Sequence, residues 1–187
     1  ARGNSGIIFA QYFRGLSETI EATEQISIHE YAHASQSAAQ YAYEAVENPV
    51  EGTMLTLMRE WGRILSEESK KNTSLLEIFN RAYSTLEIAL DKTKEQLSVL
   101  KKANVVDSGA KGFTYFIEGA LHYLKNGQDS DLKKLQDDRM NSIAERSQVR
   151  SHFVLDKNNR YCTECLLKGN AIEPEKIKSK LKQLGDS

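Results

Sequence analysis

Three segments of this 187-residue chain place glycine and small hydroxyl or carboxylate residues directly ahead of an apolar run with helical spacing. They are Ala1-Arg2-Gly3-Asn4-Ser5-Gly6, Asn48-Pro49-Val50-Glu51-Gly52-Thr53 and Asp107-Ser108-Gly109. This repeated junction of tight turn and helix limits what the chain can become. At such a junction, glycine removes the side chain where a ligand approaches, and the free backbone N–H groups and positive dipole end of the helix point at it. Phosphate suits those donors best. Each segment alone also reads as a plain helix start or turn, so the repetition carries the argument.

The apolar residues between these turns repeat as helices. Phe9, Phe13, Leu16 and Ile20 make one stripe over about Ser5 to Glu21. Ser27-x-x-Glu30 forms a capping box opening a second helix, whose Ala34, Ala38, Ala42 and Ala45 form a narrow face suited to close helix contact. Met54, Leu57, Trp61 and Leu65 define a third helix. Ser74-x-x-Glu77 caps a fourth, carrying Phe79, Tyr83, Leu86, Leu90, Leu97 and Leu100, with a break expected near Asp91. The fifth carries Phe113, Ile117, Ala120, Leu121 and Leu124 and stops at Asn126-Gly127. The expected fold class is mainly α, a bundle or barrel of antiparallel helices over residues 1–127.

Residues 128–150 change character. Asp129-Ser130-Asp131, Lys133-Lys134 and Asp137-Asp138 leave only Leu132, Leu135, Met140 and Ile143 to bury, which reads as a linker with a loosely docked helix. Residues 151–187 read as the start of an α+β domain. His152 to Leu155 and Tyr161 to Leu167 form a candidate hairpin, followed by a lysine-rich helix from Pro174 with Ile177, Leu181 and Leu184 inward and Gly185 beyond it. Two strands and one helix do not close a domain by themselves, so the chain is expected to stop within one.

Charge narrows the functional classes. Twenty-five basic and 26 acidic residues are interspersed for a net charge of −1, so no broad cationic face for nucleic acid or anionic lipid is implied. The apolar stretch Ile7 to Phe13 is too short to span a membrane and lacks the charged leader of a signal peptide, which points to a cytoplasmic protein.

Cys162 and Cys165 are the only cysteines. Cys-x-x-Cys is half of a zinc site or a redox pair, but zinc needs about four ligands and only His152 is near in sequence. On a strand the two thiols would face opposite sides. Ordinary buried thiols and metal binding at one of them both stand. His29 and His33 share a helix face without accompanying ligands and read as solvent-facing, His122 as packed within its helix, and Trp61, Tyr31, Tyr41 and Tyr43 as core or interface residues. Lys111 either reaches phosphate or is simply solvated.

Ala-Arg-Gly-Asn-Ser-Gly-Ile-Ile from Ala1, Asn-Pro-Val-Glu-Gly-Thr-Met-Leu-Thr from Asn48 and Ala-Asn-Val-Val-Asp-Ser-Gly-Ala-Lys-Gly from Ala103 occur in this order. Together they resemble the A-subunit family of bacterial fatty acid kinases, whose first domain is related to the ATP-binding subunit of dihydroxyacetone kinase. Arg160-Tyr161-Cys162-Thr163-Glu164-Cys165-Leu166-Leu167 is similar to the opening segment of that family's middle domain.

The resemblance implies an ATP-dependent kinase component that phosphorylates a fatty-acid carboxylate presented by a separate lipid-binding protein. Asn4, Ser5 and Gly6 would meet the β- and γ-phosphates, Gly52 and Thr53 would face the nucleotide, and Asp107, Ser108 and Gly109 would line its base or ribose side. Ala110 stands where the family commonly has a second glycine. It also implies magnesium held by an aspartate cluster N-terminal to Ala1, and it raises Cys162 above Cys165 as a zinc ligand in the middle domain, with a histidine pair beyond Ser187. The chain is thus expected to be truncated at both ends and inactive alone, with exposed apolar helix faces along Phe9, Phe13 and Trp61 that favour self-association as a homodimer. Two alternatives stay open: a nucleotide subunit for dihydroxyacetone (glycerone) or another small carbonyl substrate, and a non-catalytic helical interaction module whose glycine turns are caps only.

Overall fold

The computed structural model describes residues 3–20, 25–71, 73–127, 169, 173–181 and 183. Every element among them is a helix: α1 (Gly3–Thr19), α2 (Ile28–Glu44), α3 (Met54–Glu68), α4 (Leu75–Gln96), α5 (Ser98–Ala103), α6 (Ser108–Asn126) and α7 (Pro174–Leu181). The chain divides into two compact units, residues 1–148 and 149–187, and α7 belongs to the second. The expected linker, hairpin, Cys162 and Cys165 lie outside the described residues.

Local chemistry fixes the helix starts. In α2 the Glu30 N–H donates to Ser27 Oγ at 3.2 Å while the Ser27 N–H donates to Glu30 Oε2 at 2.6 Å, so two otherwise orphaned donors are satisfied. Ser74 and Glu77 repeat this at α4. α6 is capped by Asp107, whose Oδ2 accepts the Ala110 N–H at 2.7 Å, and it ends at Gly127 with φ +69°. The fourth helical stretch breaks at Leu97 rather than near Asp91, because Leu97 is extended (φ −112°, ψ 126°) and itself begins α5. Asn104, left-handed at φ 52°, then closes α5.

Helices α1, α2, α3 and α4 pack in chain order, and α6 lies against both α4 and α3. The α3–α4 and α4–α6 pairs are antiparallel: Gly52, just before α3, lies against Gln96 at the end of α4, and the Asp107 N–H donates to Thr93 Oγ1 at 3.2 Å. α2 runs against α3, with Tyr43 beside Arg59 and Gly62 beside Gln36. α1 and α2 are each 17 residues, about 25 Å long. Because α4 returns antiparallel to both α3 and α6, those two helices begin at the same end.

The core is contributed by every helix of this bundle except α5: Tyr12, Ala38, Leu57, Met58, Trp61, Leu65, Phe79, Leu86, Phe113 and Ile117 are buried. The alanine face of α2 permits very close contact. A Cβ on Gly15 of α1 would sit 2.6 Å from Ala38 Cα, and one on Gly62 of α3 would sit 2.8 Å from the Gln36 nitrogen. Ala45 does not extend that face, because it is the exposed C-cap.

The stripe on α1 is rotated from its expected position. Tyr12 and Gly15 are buried, whereas Phe13 is 44% exposed. Phe9 and Phe13 meet Phe116 edge-on at 6.2 and 5.4 Å along the seam between α1 and α6. A run with apolar residues on two adjacent faces does not reveal by spacing alone which face turns inward. Trp61, read both as a core or interface residue and as part of an exposed apolar face, is wholly buried against Phe79 at 5.7 Å.

Candidate functional site

The shared end of α3 and α6 carries two of the three turns. Gly52 and Gly109 come together there: Gly109 lies so close to Met54, the first residue of α3, that an added Cβ would be 3.1 Å from Met54 Cε. Asn4, Ser5 and Gly6 occupy the first turn of α1 itself rather than a loop ahead of it, with Asn4 and Ser5 exposed. Their backbone still belongs to a helix N-terminus, where N–H groups lack intrahelical acceptors.

At α3 the turn is held by a network that spacing did not reveal. Gly52 adopts φ +83°, a left-handed conformation that glycine tolerates. Its N–H donates to Thr56 Oγ1 at 2.9 Å, so this amide is already paired within the protein. The Thr56 hydroxyl donates onward to Glu51 Oε2 at 2.7 Å. Arg59 grips the same carboxylate with two N–H groups, at 2.6 Å to Oε1 and 2.8 Å to Oε2. The Tyr43 hydroxyl adds a donor to Oε1 at 2.9 Å, and the Arg59 guanidinium lies 5.4 Å from the Tyr43 ring centre.

These donors set the charge state of the site. The paired Arg59 N–H groups hold the Glu51 carboxyl at about 2, from an ordinary 4.5. Burial, together with the hydrogen bond to Glu51, pushes the Tyr43 phenol up to about 12. Both groups keep their form throughout the neutral range.

Thr53 differs from the residues that start α2, α4 and α6. Its hydroxyl donates backward to the Val50 carbonyl at 2.7 Å and makes no cap bond, whereas Ser27, Ser74 and Asp107 each accept an N–H of their helix. The first turn of α3 therefore has no N-cap side chain on its donors, next to a glycine at the start of α6. Asp107 spends its carboxylate on the Ala110 N–H, so this side chain serves as a cap, and Ser108 beside it is exposed. Lys111 points its ammonium over the Tyr115 ring at 4.7 Å.

Among the described residues, no group of three or more His, Cys, Asp or Glu side chains could hold a metal ion. His29 and His33 are both exposed. A polar groove of about 380 Å³ between α4 and α6, lined by residues including Tyr83, Glu87, Glu118 and His122, lies toward the opposite end. No described helix is long and apolar enough to cross a membrane.

The architecture defines the class: a helical domain in which the glycine-bearing starts of α3 and α6 meet at one end. Residues 1–122 match the DAK2 domain, and the chain belongs to that dihydroxyacetone-kinase-like family. It is 35% identical to protein YloV of Bacillus subtilis strain 168 over 194 aligned residues, which take in all of this chain and 35% of that protein. An uncharacterized protein of Staphylococcus haemolyticus is 32% identical, and one of Staphylococcus aureus strain USA300 is 31% identical, each with the same coverage. The chain spans about a third of the length of these curated relatives.

Proposed function

We propose that the intact protein is the ATP-binding component of a kinase that transfers the γ-phosphoryl group to a fatty-acid carboxylate presented by a separate lipid-binding protein. The observation that carries the nucleotide part is the uncapped first turn of α3 beside Gly109, at the end where α6 also begins. Two positive helix ends set side by side suit a polyphosphate. Asn4, Ser5, Thr53, Ser108 and Gly109 are the residues assigned to it; Gly52 contributes through its conformation, and Asp107 by fixing the start of α6.

The described residues do not offer magnesium a cradle. Glu51 is saturated by protein donors, Asp107 caps its own helix through Oδ2, and neither belongs to a cluster of ligands among the described residues, so no step is assigned to a metal held by them. In the transfer itself, the bond from the γ-phosphorus to the ADP oxygen breaks and one to the carboxylate oxygen forms, giving an acyl phosphate. The contribution of this chain is to position and neutralise phosphate oxygens, the main protein role in such chemistry.

The fatty-acid acceptor and its carrier rest on the likeness of Arg160 to Leu167 to the middle-domain segment. Membership of the DAK2 family supports a second acceptor class, dihydroxyacetone or a related small carbonyl compound. Supplying the intact protein with ATP and either acceptor, and assaying acyl phosphate against dihydroxyacetone phosphate, separates the two. For the site, Ser5→Ala and Thr53→Ala should each lower turnover while leaving the melting temperature nearly unchanged. A purely capping role would instead lower stability by about 1 kcal/mol and spare the kinetics. Full activity in a destabilised Ser5→Ala protein would overturn the nucleotide-site reading.

A further inference from the structure

We propose that Glu51, with Arg59, Tyr43 and Thr56, is a positioning device for nucleotide binding: it locks the Gly52 turn so that the N–H groups of Thr53 and the first turn of α3 are held ready for phosphate. The proposal rests on the nucleotide reading above and extends it to four residues that do not themselves touch the ligand.

The geometry favours this over a simple surface ion pair. Both carboxylate oxygens of Glu51 accept two donors each, from Tyr43 and Arg59 on one and from Thr56 and Arg59 on the other. Those donors come from the end of α2 and from the first two turns of α3, so the carboxylate ties together both helices that flank the turn. Thr56 then passes the restraint to the backbone by accepting the Gly52 N–H. Gly52 has little room to move: a Cβ there would meet Gln96 Cβ at 2.7 Å, and its φ is positive. The chain leaves this fixed residue directly into Thr53, whose hydroxyl is turned back to Val50 and away from its own helix.

Two different consequences separate positioning from plain anchoring. The side chains of Glu51 and Arg59 are each about half exposed, and exposed ion pairs contribute little to stability. Misplacing binding groups by a fraction of an ångström to an ångström costs far more in ligand recognition than in folding. Loss of the network should therefore register in ATP affinity before it registers in the melting temperature.

The test uses the full-length protein with ATP and magnesium, measuring the dissociation constant by calorimetry and the melting temperature in parallel. Glu51→Gln and Thr56→Val are expected to weaken ATP binding by about tenfold or more, while Thr56→Ser, which keeps the hydroxyl, binds as the unaltered protein does. Leu86→Ala, in the core of α4, supplies a destabilised comparison that should melt earlier yet bind ATP normally. ATP binding by Glu51→Gln equal to that of the unaltered protein overturns the proposal and leaves the nucleotide reading standing. Equal loss of affinity in Leu86→Ala also overturns it, since the effect would then follow stability. Absence of ATP binding in the unaltered protein overturns the nucleotide reading and the proposal with it.

Discussion

The Glu51 carboxylate makes the clearest residue-scale statement about acid. Its folded value of about 2 lies below its ordinary 4.5, so the native state binds a proton there less readily than the unfolded chain does. The stabilisation is fully present above 4.5 and is lost as the pH falls through 4.5 toward 2. Glu51→Gln should therefore be less stable than the unaltered protein at pH 7, with the difference shrinking below pH 4.5; melting curves over that range check it. Tyr43 works in the opposite direction, favouring the folded state below pH 10 and losing that contribution toward pH 12. The network was not legible in advance, because Tyr43, Glu51, Thr56 and Arg59 share no periodic spacing and meet only when α2 and α3 fold back on one another. Ser27-x-x-Glu30 and Ser74-x-x-Glu77, by contrast, were legible because every partner lies within one turn.

At the scale of the helix, glycine reads ambiguously in sequence, as a breaker or as a place of contact, and the structure separates the two. Gly15→Ala would drive a methyl group to 2.6 Å from the Ala38 Cα, and Gly62→Ala to 2.8 Å from the Gln36 nitrogen, both backbone atoms with no free rotation to yield. Each should destabilise by about 1–3 kcal/mol through forced separation of the helices. Gly119→Ala has the opposite sign: it lies inside α6 with nothing within 4 Å of the new methyl group, and it should stabilise by about 0.5–1 kcal/mol. Chemical denaturation of the three variants tests the contrast, and a stabilising Gly15→Ala would refute the close α1–α2 contact. The alanine run of α2 foreshadowed a tight interface, but Gly15 and Gly62 opposite it lay on helices whose visible stripes were large apolar residues. The break at Leu97 was hidden for a related reason: Leu86, Leu90, Leu97 and Leu100 keep near-helical spacing straight through it, so only the backbone shows where α4 ends.

At the scale of the molecule, what matters is polarity along the bundle. Gly52, Thr53, Asp107 and Gly109 share one end, while the groove bordered by Asn80, His122 and Lys125 lies toward the other, since α4 runs from that groove up to Gln96 beside Gly52. Thr53 and Gly109 lie far apart in the sequence, and only the antiparallel return of α4 brings their turns together. A nucleotide held by helix N-termini should therefore protect one end of the domain. Hydrogen exchange of the full-length protein, followed by mass spectrometry with and without ATP and magnesium, should show slowed exchange in peptides covering residues 52–57 and 108–112. Peptides across 80–84 and 121–125 should be unchanged. Local opening sets these rates, and a ligand bound at about a hundred times its dissociation constant slows an opening that releases it by up to a hundredfold, or about 2.7 kcal/mol. Protection confined to the α4–α6 groove would place the ligand at the wrong end and refute the site; uniform protection over both ends would show that ATP acts on the stability of the whole domain rather than on these turns.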